Sequence, residues 1–277
     1  MSDATRRAAL AERAARAGGE FARDRFRTPL EVETKADEND LVTATDRDAQ
    51  ARVVECVREE FPSEELVCEE SPPAGTEEDV EIRQSVPAGA AWVVDPIDGT
   101  TNFVRGLRFW GTSVAAVVDG DPVGAATSLP AEGDLYAAGP DQTTRNGSPV
   151  SVSDRTDPGT FVVGLTGWWP ARAGDRQASL FRASAERFGD VRRLGSMQGT
   201  LALVADGGLE AAVVLSRPHP WDAIAGVHLV RQAGGTATDL HGDRWEHDSE
   251  GLVVSNGTAH DAVLAAVRGS TDAGTGG

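Results

Sequence analysis

The sequence is nearly free of lysine: Lys35 stands alone among 26 basic residues, the rest being arginine. Against these stand 44 acidic residues, giving a formal net charge of −18. A surface of that sign repels phosphate backbones and anionic membranes, so no nucleic acid and no membrane are expected as partners. Cysteine is scarce too, and Cys56 and Cys68 stand at no C-x-x-C spacing, which excludes a cysteine zinc site and leaves free thiols as the expectation. Aromatics make up only 5% of the chain, yet 40% is hydrophobic, so it is globular and not disordered. No apolar run approaches the length that spans a bilayer, and residues 1–27 form a charged Ala/Arg-rich pattern without a secretory apolar segment. The expected location is the cytoplasm.

What is present is a long alternation of strand and helix signals over 277 residues, enough for two closely packed lobes. Residues 4–27 carry helical spacing, with their arginines expected on a solvated face. A hairpin follows around the polar turn at 36–40, and Asp46 is placed to cap a second helix ending near Phe61. Strands are expected at 66–68, 91–94, 111–119, 122–129 and 134–138, with a loop over 139–147. These form an α+β N-terminal lobe over residues 1–153. From residue 160 strands and helices alternate, giving an α/β C-terminal lobe over 154–268. Residues 269–277 read as a disordered tail.

Two stretches carry chemistry. The first is Trp92-Val93-Val94-Asp95-Pro96-Ile97-Asp98-Gly99-Thr100-Thr101-Asn102-Phe103, where an apolar strand ends in two carboxylates three apart and a Gly-Thr-Thr helix start. Carboxylates at a strand exit project into the crevice beyond it and suit hard cations such as Mg²⁺. In the second stretch, Pro220-Trp221-Asp222 opens an apolar helix that ends in Gly234-Gly235. The small residues Ala223, Ala225 and Gly226 let that helix pack closely, so a carboxylate there needs a positive partner.

Taken with Glu69-Glu70-Ser71, Asp40-Leu41-Val42-Thr43-Ala44-Thr45-Asp46, Leu194-Gly195-Ser196 and Val254-Ser255-Asn256, these stretches resemble the inositol monophosphatase family over residues 5–268. The family belongs to a group of Mg²⁺-dependent, lithium-sensitive phosphatases that includes fructose-1,6-bisphosphatases. The resemblance implies a layered αβαβα sandwich, a homodimer, and two or three Mg²⁺ ions. It implies that Glu69, Asp95 and the Ile97 carbonyl hold one ion and Asp95, Asp98 and Asp222 a second, with Glu69 supporting a third. Thr100, helped by Asp46, would orient the attacking water; the amides of Gly99 and Thr100 would receive the phosphate; Ser196 would contact substrate; and Lys35 would lie beside the active site. The acidic, lysine-poor composition resembles that of proteins from salt-loving organisms.

Two departures bear on the substrate. Ala138-Gly139-Pro140-Asp141 replaces the family's usual turn. The family's ring-hydroxyl-binding Glu is also missing, because Val214 or Leu215 occupies that region and apolar side chains cannot bond a polyol. The expected activity is hydrolysis of inositol monophosphate or a related small sugar or polyol phosphate by metal-activated water. Fructose-1,6-bisphosphatase activity, with Arg172, Arg192, Arg193 or Arg217 reading a second phosphate, is the alternative. A non-catalytic metal- or ligand-binding relative is the third reading. The five histidines and the Trp168-Trp169-Pro170 cluster read as structural.

Overall fold

The computed structural model describes residues 2–29, 32–34, 41–71, 85–167, 169 and 174–272. Helices α1 (Asp3–Arg23) and α2 (Ala44–Glu60) form the first layer, with the hairpin strands β1 (Val32–Thr34) and β2 (Leu41–Thr43) between them in the chain. A seven-stranded sheet follows: β3 (Glu65–Cys68), β4 (Ala90–Asp98), β5 (Gly111–Val118), β6 (Asp121–Leu129), β7 (Asp134–Ala138), β8 (Thr143–Arg145) and β9 (Ser148–Val150), paired in chain order. Only β3 and β4 run parallel; the other neighbours are antiparallel. The short helix α3 (Thr100–Val104) leaves the end of β4.

The second sheet has five strands in the order β11-β10-β12-β14-β13, namely β10 (Val162–Leu165), β11 (Asp190–Arg192), β12 (Ala211–Val214), β13 (Thr236–Thr238) and β14 (Leu252–Ser255). Helices α4 (Gly174–Ala185) and α7 (His260–Asp272) share a core with one face of it. Between the sheets lie α5 (Met197–Ala205) and α6 (Pro220–Gln232). One apolar cluster joins these two helices to Val93, Ala115 and Ala125 of the first sheet and to Ala212 and Val254 of the second. Buried on both sides, α5 and α6 are apolar around nearly their whole circumference, as the sequence of a central layer requires. The five layers expected from the resemblance are present.

Several local expectations need correction. The strand expected to end at Val94 continues through Asp98. The loop at 139–147 contains β8, and α7 extends to Asp272, so residues 269–272 are helical; residues 273–277 lie outside the described residues. The arginines of α1 are not all solvated. Arg7 is buried, donates to both oxygens of Glu64 at 2.6 Å each, and covers the Phe61 ring at 4.5 Å. Glu64 also accepts from the Trp92 indole at 2.8 Å, so this pair ties α1 to the sheet where a lone buried cation would be costly. Asp46 is not the N-cap of α2: Thr43 is, and Asp46 completes a capping box by accepting from the Thr43 backbone at 2.9 Å. Both cysteines are free thiols, as expected. Among the described residues no helix is long and apolar enough to cross a membrane.

The middle layer is tight because α5 and α6 meet at Gly226. A Cβ built there would lie 2.5 Å from Leu201 Cβ and Cδ1, too close for any side chain. Gly226→Ala is therefore expected to cost about 1–3 kcal/mol by overpacking. Urea unfolding checks it: the midpoint should fall at unchanged slope, and an unmoved midpoint would show that the two helices can separate freely.

Candidate active site

The site begins with an irregularity in β4. Its pairing with β5 is regular down to Asp95 opposite Ser113, then shifts and resumes at Asp98 opposite Gly111. Pro96, without an N–H, cannot continue the ladder, and the Thr112 hydroxyl takes up the Pro96 carbonyl at 2.7 Å. In a regular strand residues three apart face opposite sides; the bulge brings Asp95 and Asp98 into one electrostatic neighbourhood. Ile97 points the other way, into a cluster with Phe103, Trp110, Ala22 and Ala49.

Asp95 is the centre. It is 1% exposed, and its Oδ1 accepts no hydrogen bond. Burial, and then the charges of Glu69, Asp98 and Asp222, hold its carboxyl well above the ordinary carboxylate range. A side-chain hydrogen bond with Glu69 raises it further. Glu69 follows the end of β3 and is fixed by its amide on the Val94 carbonyl at 3.2 Å. Next to it the Gln50 side chain accepts from Glu70 N–H at 2.9 Å and donates to the Glu70 carbonyl at 2.7 Å, clamping the turn from α2. Asp222 arrives from the first turn of α6, behind Pro220, its amide on the His219 carbonyl at 3.1 Å. Four carboxylates from three separate stretches thus act on one another electrostatically, with Asp95 at the centre.

Asp98 is differently placed. Both its oxygens face the start of α5, accepting from Met197 N–H at 2.9 Å, Gly199 N–H at 3.2 Å and the Ser196 hydroxyl. Burial pushes its carboxyl up to about 6, and these donors limit the rise. Ser196, the N-cap of α5, therefore orients Asp98 across the two sheets. The Thr100 hydroxyl lies 3.0 Å from the Ile97 carbonyl and 3.3 Å from Asp46 Oδ1, so the expected Thr100–Asp46 pair is assembled. Gly99 has φ 85°, and a Cβ there would come within 2.8 Å of the Gly195 carbonyl, so only glycine permits the approach of these two loops. Lys35 lies outside the described residues.

Three positioning residues were not singled out from the sequence. Asn102 donates to the carbonyls of Phe109 and Leu194 at 2.7 and 2.8 Å, holding the 194–196 loop against α3. Gln198 donates to the Trp221 carbonyl and accepts from Gly226 N–H at 2.7 Å, fixing α6 and hence Asp222. Gln50 is the third. Asn102 sits inside the recognised motif, but nothing local in the sequence reveals the partners of Gln50 or Gln198.

The inositol monophosphatase family model matches residues 3–272. The chain belongs to the inositol monophosphatase family. It is similar to the Nus factor SuhB of Escherichia coli, 32% identical over 266 residues and 94% of each chain. The fructose-1,6-bisphosphatase/inositol-1-monophosphatase of Thermotoga maritima is 33% identical over 237 residues, 85% of this chain and 86% of that protein. Among solved structures a Thermotoga maritima IMPase superposes with a TM-score of 0.85 at 28% identity, covering 96% of this chain and 98% of that one. These names span different roles, so the family is shared and the substrate is not fixed by it.

The family's metal dependence can be weighed against the residues themselves. Among the described residues, no three carboxylate, imidazole or thiolate groups are drawn together into a ready-made cage. The donor set nevertheless fits a hard divalent cation: only oxygen ligands, an orphaned buried carboxylate oxygen, and mutual repulsion that a cation would relieve.

This electrostatics has a measurable sign. The Asp95 and Asp98 carboxyls bind protons more tightly in the folded than in the unfolded chain, whose Asp pKa is about 3.9. Metal-free protein should therefore lose stability as pH rises from about 4 through the folded value of about 6 at Asp98, with the raised Asp95 adding to the loss. In chelator at pH 7.5, Asp95→Asn is expected to raise the thermal midpoint, at about 2–4 °C per kcal/mol relieved. Mg²⁺ should raise the midpoint of the wild type and not of Asp95→Asn. A lower midpoint for the metal-free variant would mean that Asp95 is not electrostatically strained.

Proposed function

We propose that this protein is a Mg²⁺-dependent phosphomonoesterase acting on inositol monophosphate or a related small sugar or polyol phosphate. The observation that carries the reading is the buried, unbonded Asp95 Oδ1 at the meeting point of Glu69, Asp98 and Asp222. A structural carboxylate would have both oxygens paired or solvated, and this Oδ1 is neither. Glu69, Asp95 and the Ile97 carbonyl would hold one cation, and Asp95, Asp98 and Asp222 another, with Glu69 contributing to a third. Bound there, the ions would neutralise the phosphate dianion, lower the pKa of a bound water and stabilise the leaving alkoxide.

The chain's own residues divide the remaining work. Thr100 has one hydroxyl proton, which it gives to Asp46 or to Ile97, leaving its oxygen lone pairs to accept from a water. That orients the water's other lone pair toward phosphorus. Asp46, itself fixed by Thr43, keeps the threonine in this role. The amides of Gly99 and Thr100 would receive phosphate oxygens, and the close seat of Gly195 on Gly99 keeps that turn rigid. No side-chain nucleophile is needed. Lys35, from the β1–β2 hairpin, would approach the phosphate as its lone ammonium.

Recognition of the alcohol is separate. Val214 and Leu215 are buried in the apolar cores on either side of β12, so neither reaches a polyol, and strict inositol selectivity is disfavoured. A bisphosphate reading is supported by Arg193, which lies three residues before Ser196, is solvent-exposed with its guanidinium over the Trp169 ring at 4.6 Å, and makes no ion pair among the described residues. Arg192 is instead paired with Asp190. The name of the Thermotoga maritima relative is compatible with either substrate. A second homodimer-borne contribution is not required by this geometry.

Phosphate release from a panel of phosphorylated polyols and sugars, with Mg²⁺ at low and high salt, tests the assignment. Asp95→Asn should lower kcat/KM on the order of 10³-fold or more, and persistence of activity would overturn the proposal. Arg193→Met should raise KM about tenfold or more for fructose 1,6-bisphosphate, as expected for loss of a charge-assisted contact, while leaving inositol 1-phosphate nearly unchanged. An equal effect on both substrates would remove Arg193 from the reading of a second phosphate.

A further inference from the structure

The end of the molecule opposite Asp95 holds a cavity that the chemistry above does not use. It lies where the β5–β6 turn, the last turn of α6, β13 and residues 244–247 meet, with a volume of about 600 Å³ and a smaller adjoining space of about 210 Å³. The two share Asp121, Pro122, Arg231 and Arg244. Asp222 and Arg231 are at opposite ends of α6, about 14 Å apart at 1.5 Å per residue. A volume of this order takes a metabolite-sized ligand.

Its wall is rich in donors. Arg231 spends only Nη2, on the Trp245 carbonyl at 2.7 Å and the Ala237 carbonyl at 3.4 Å, leaving Nε and Nη1 for an acceptor. Arg244 adds a second guanidinium, whose contact with Asp121 at 3.4 Å is between two largely exposed side chains and is correspondingly weak. The Trp245 indole N–H, which can only donate, is buried without a partner beside the smaller space. The carbonyls of Leu229, Val230 and Arg231 at the end of α6 are already bonded, accepting from Ala233, Gly235 and Gly234, which leaves Asp121 as the carboxylate shared by the two spaces. His228 also lines the larger space, neutral, with its Nε2 unbonded.

Charge points the same way. Burial and the neighbouring Arg244 disfavour the Arg231 cation more than Asp121 and Glu246 favour it, lowering it to about 10. The larger space is lined by two guanidiniums and one carboxylate, the exposed Asp121, an excess of positive charge in a chain of net charge −18; Asp119 and Glu246 face only the smaller space. We infer that this cavity is a binding site for a small organic oxyanion, its carboxylate or phosphate group held between Arg231 and Arg244. Bidentate guanidinium donation suits either group, and the cavity leaves room for the carbon skeleton that carries it. This site is independent of the catalytic reading and stands whether or not the protein is a phosphatase.

The Trp245 indole N–H gives a site-specific readout. In an ¹⁵N-labelled full-length protein, with chelator present and ionic strength held constant with chloride, succinate and inorganic phosphate are titrated separately. The Trp245 signal is assigned by its absence from Trp245→Phe. Saturable movement of that signal with either anion is expected, and the preferred anion identifies the group. Arg244→Gln, on an exposed side chain, should weaken the dissociation constant at least tenfold, as should Arg231→Met. If Arg231→Met misfolds, Arg244→Gln alone decides. No saturable shift with either anion, or equal affinity in Arg244→Gln, would overturn the inference.

Discussion

The constraint on which the structure depends is the repulsion among four carboxylates gathered at Asp95. Each would be stable in water, but Asp95 is withdrawn from it and left with an unbonded oxygen. Within the site, the hydrogen bond with Glu69 relieves only part of that cost, because Oδ1 stays unbonded. The surrounding fold supplies the compensation through donors that hold the neighbours without neutralising the centre. Asp98 rests on the first amides of α5, Asp46 closes the cap of α2, and Gln50 and Gln198 clamp the backbones that carry Glu69 and Asp222. Such strain persists only where the scaffold over-determines it, and here the scaffold is a five-layer core anchored on both sides of α5 and α6.

The same logic explains how an acidic chain tolerates its arginines inside. Arg7 is buried because Glu64 meets it through two parallel hydrogen bonds, an arrangement lysine cannot reproduce. Arg231 is partly buried because two carbonyls receive it, yet they leave half its donors unspent. Arg193 has only the face of Trp169. The three form a series from satisfied to unsatisfied, and the proposed roles fall on the unsatisfied members. Composition alone, which presents arginine as a uniform substitute for lysine, conceals this difference.

Much of the fold was legible because it is written locally. Strands β5, β6 and β7 fell within a residue of their expected limits, since alternating apolar residues and glycine turns bound them. Asp95 and Asp98 stood out by motif and spacing, whereas Glu69 and Asp222 joined them only through the family resemblance. What escaped depends on distant partners or on departures from regular periods. The bulge that turns Asp95 and Asp98 together breaks the twofold strand repeat on which strand recognition rests. The role of Ser196 as a holder of Asp98 spans 98 residues, and Arg7 reads as one more exposed cation until Glu64 is placed beside it. Asp46 looked like a cap because acidic residues often are, while Thr43, three residues earlier, held that position.

The division between reading the phosphate and reading the alcohol follows from topology. In the proposed reading the phosphate side would be built on β4 and on the first turns of α3, α5 and α6, whose ends carry Asp95, Asp98, Thr100, Ser196 and Asp222. The alcohol side would have to draw on the end of β12, but that strand is paired on both edges, with β10 and β14, and Val214 and Leu215 are absorbed into opposite apolar cores. A polar residue there would leave a hydrogen-bonding group without water, so the packing that stabilises this edge also removes it from recognition. Selectivity must then come from the loops at the strand ends, where Arg193 and Trp169 stand. Loops change without disturbing layers, which is how one shared fold can serve relatives named for different substrates.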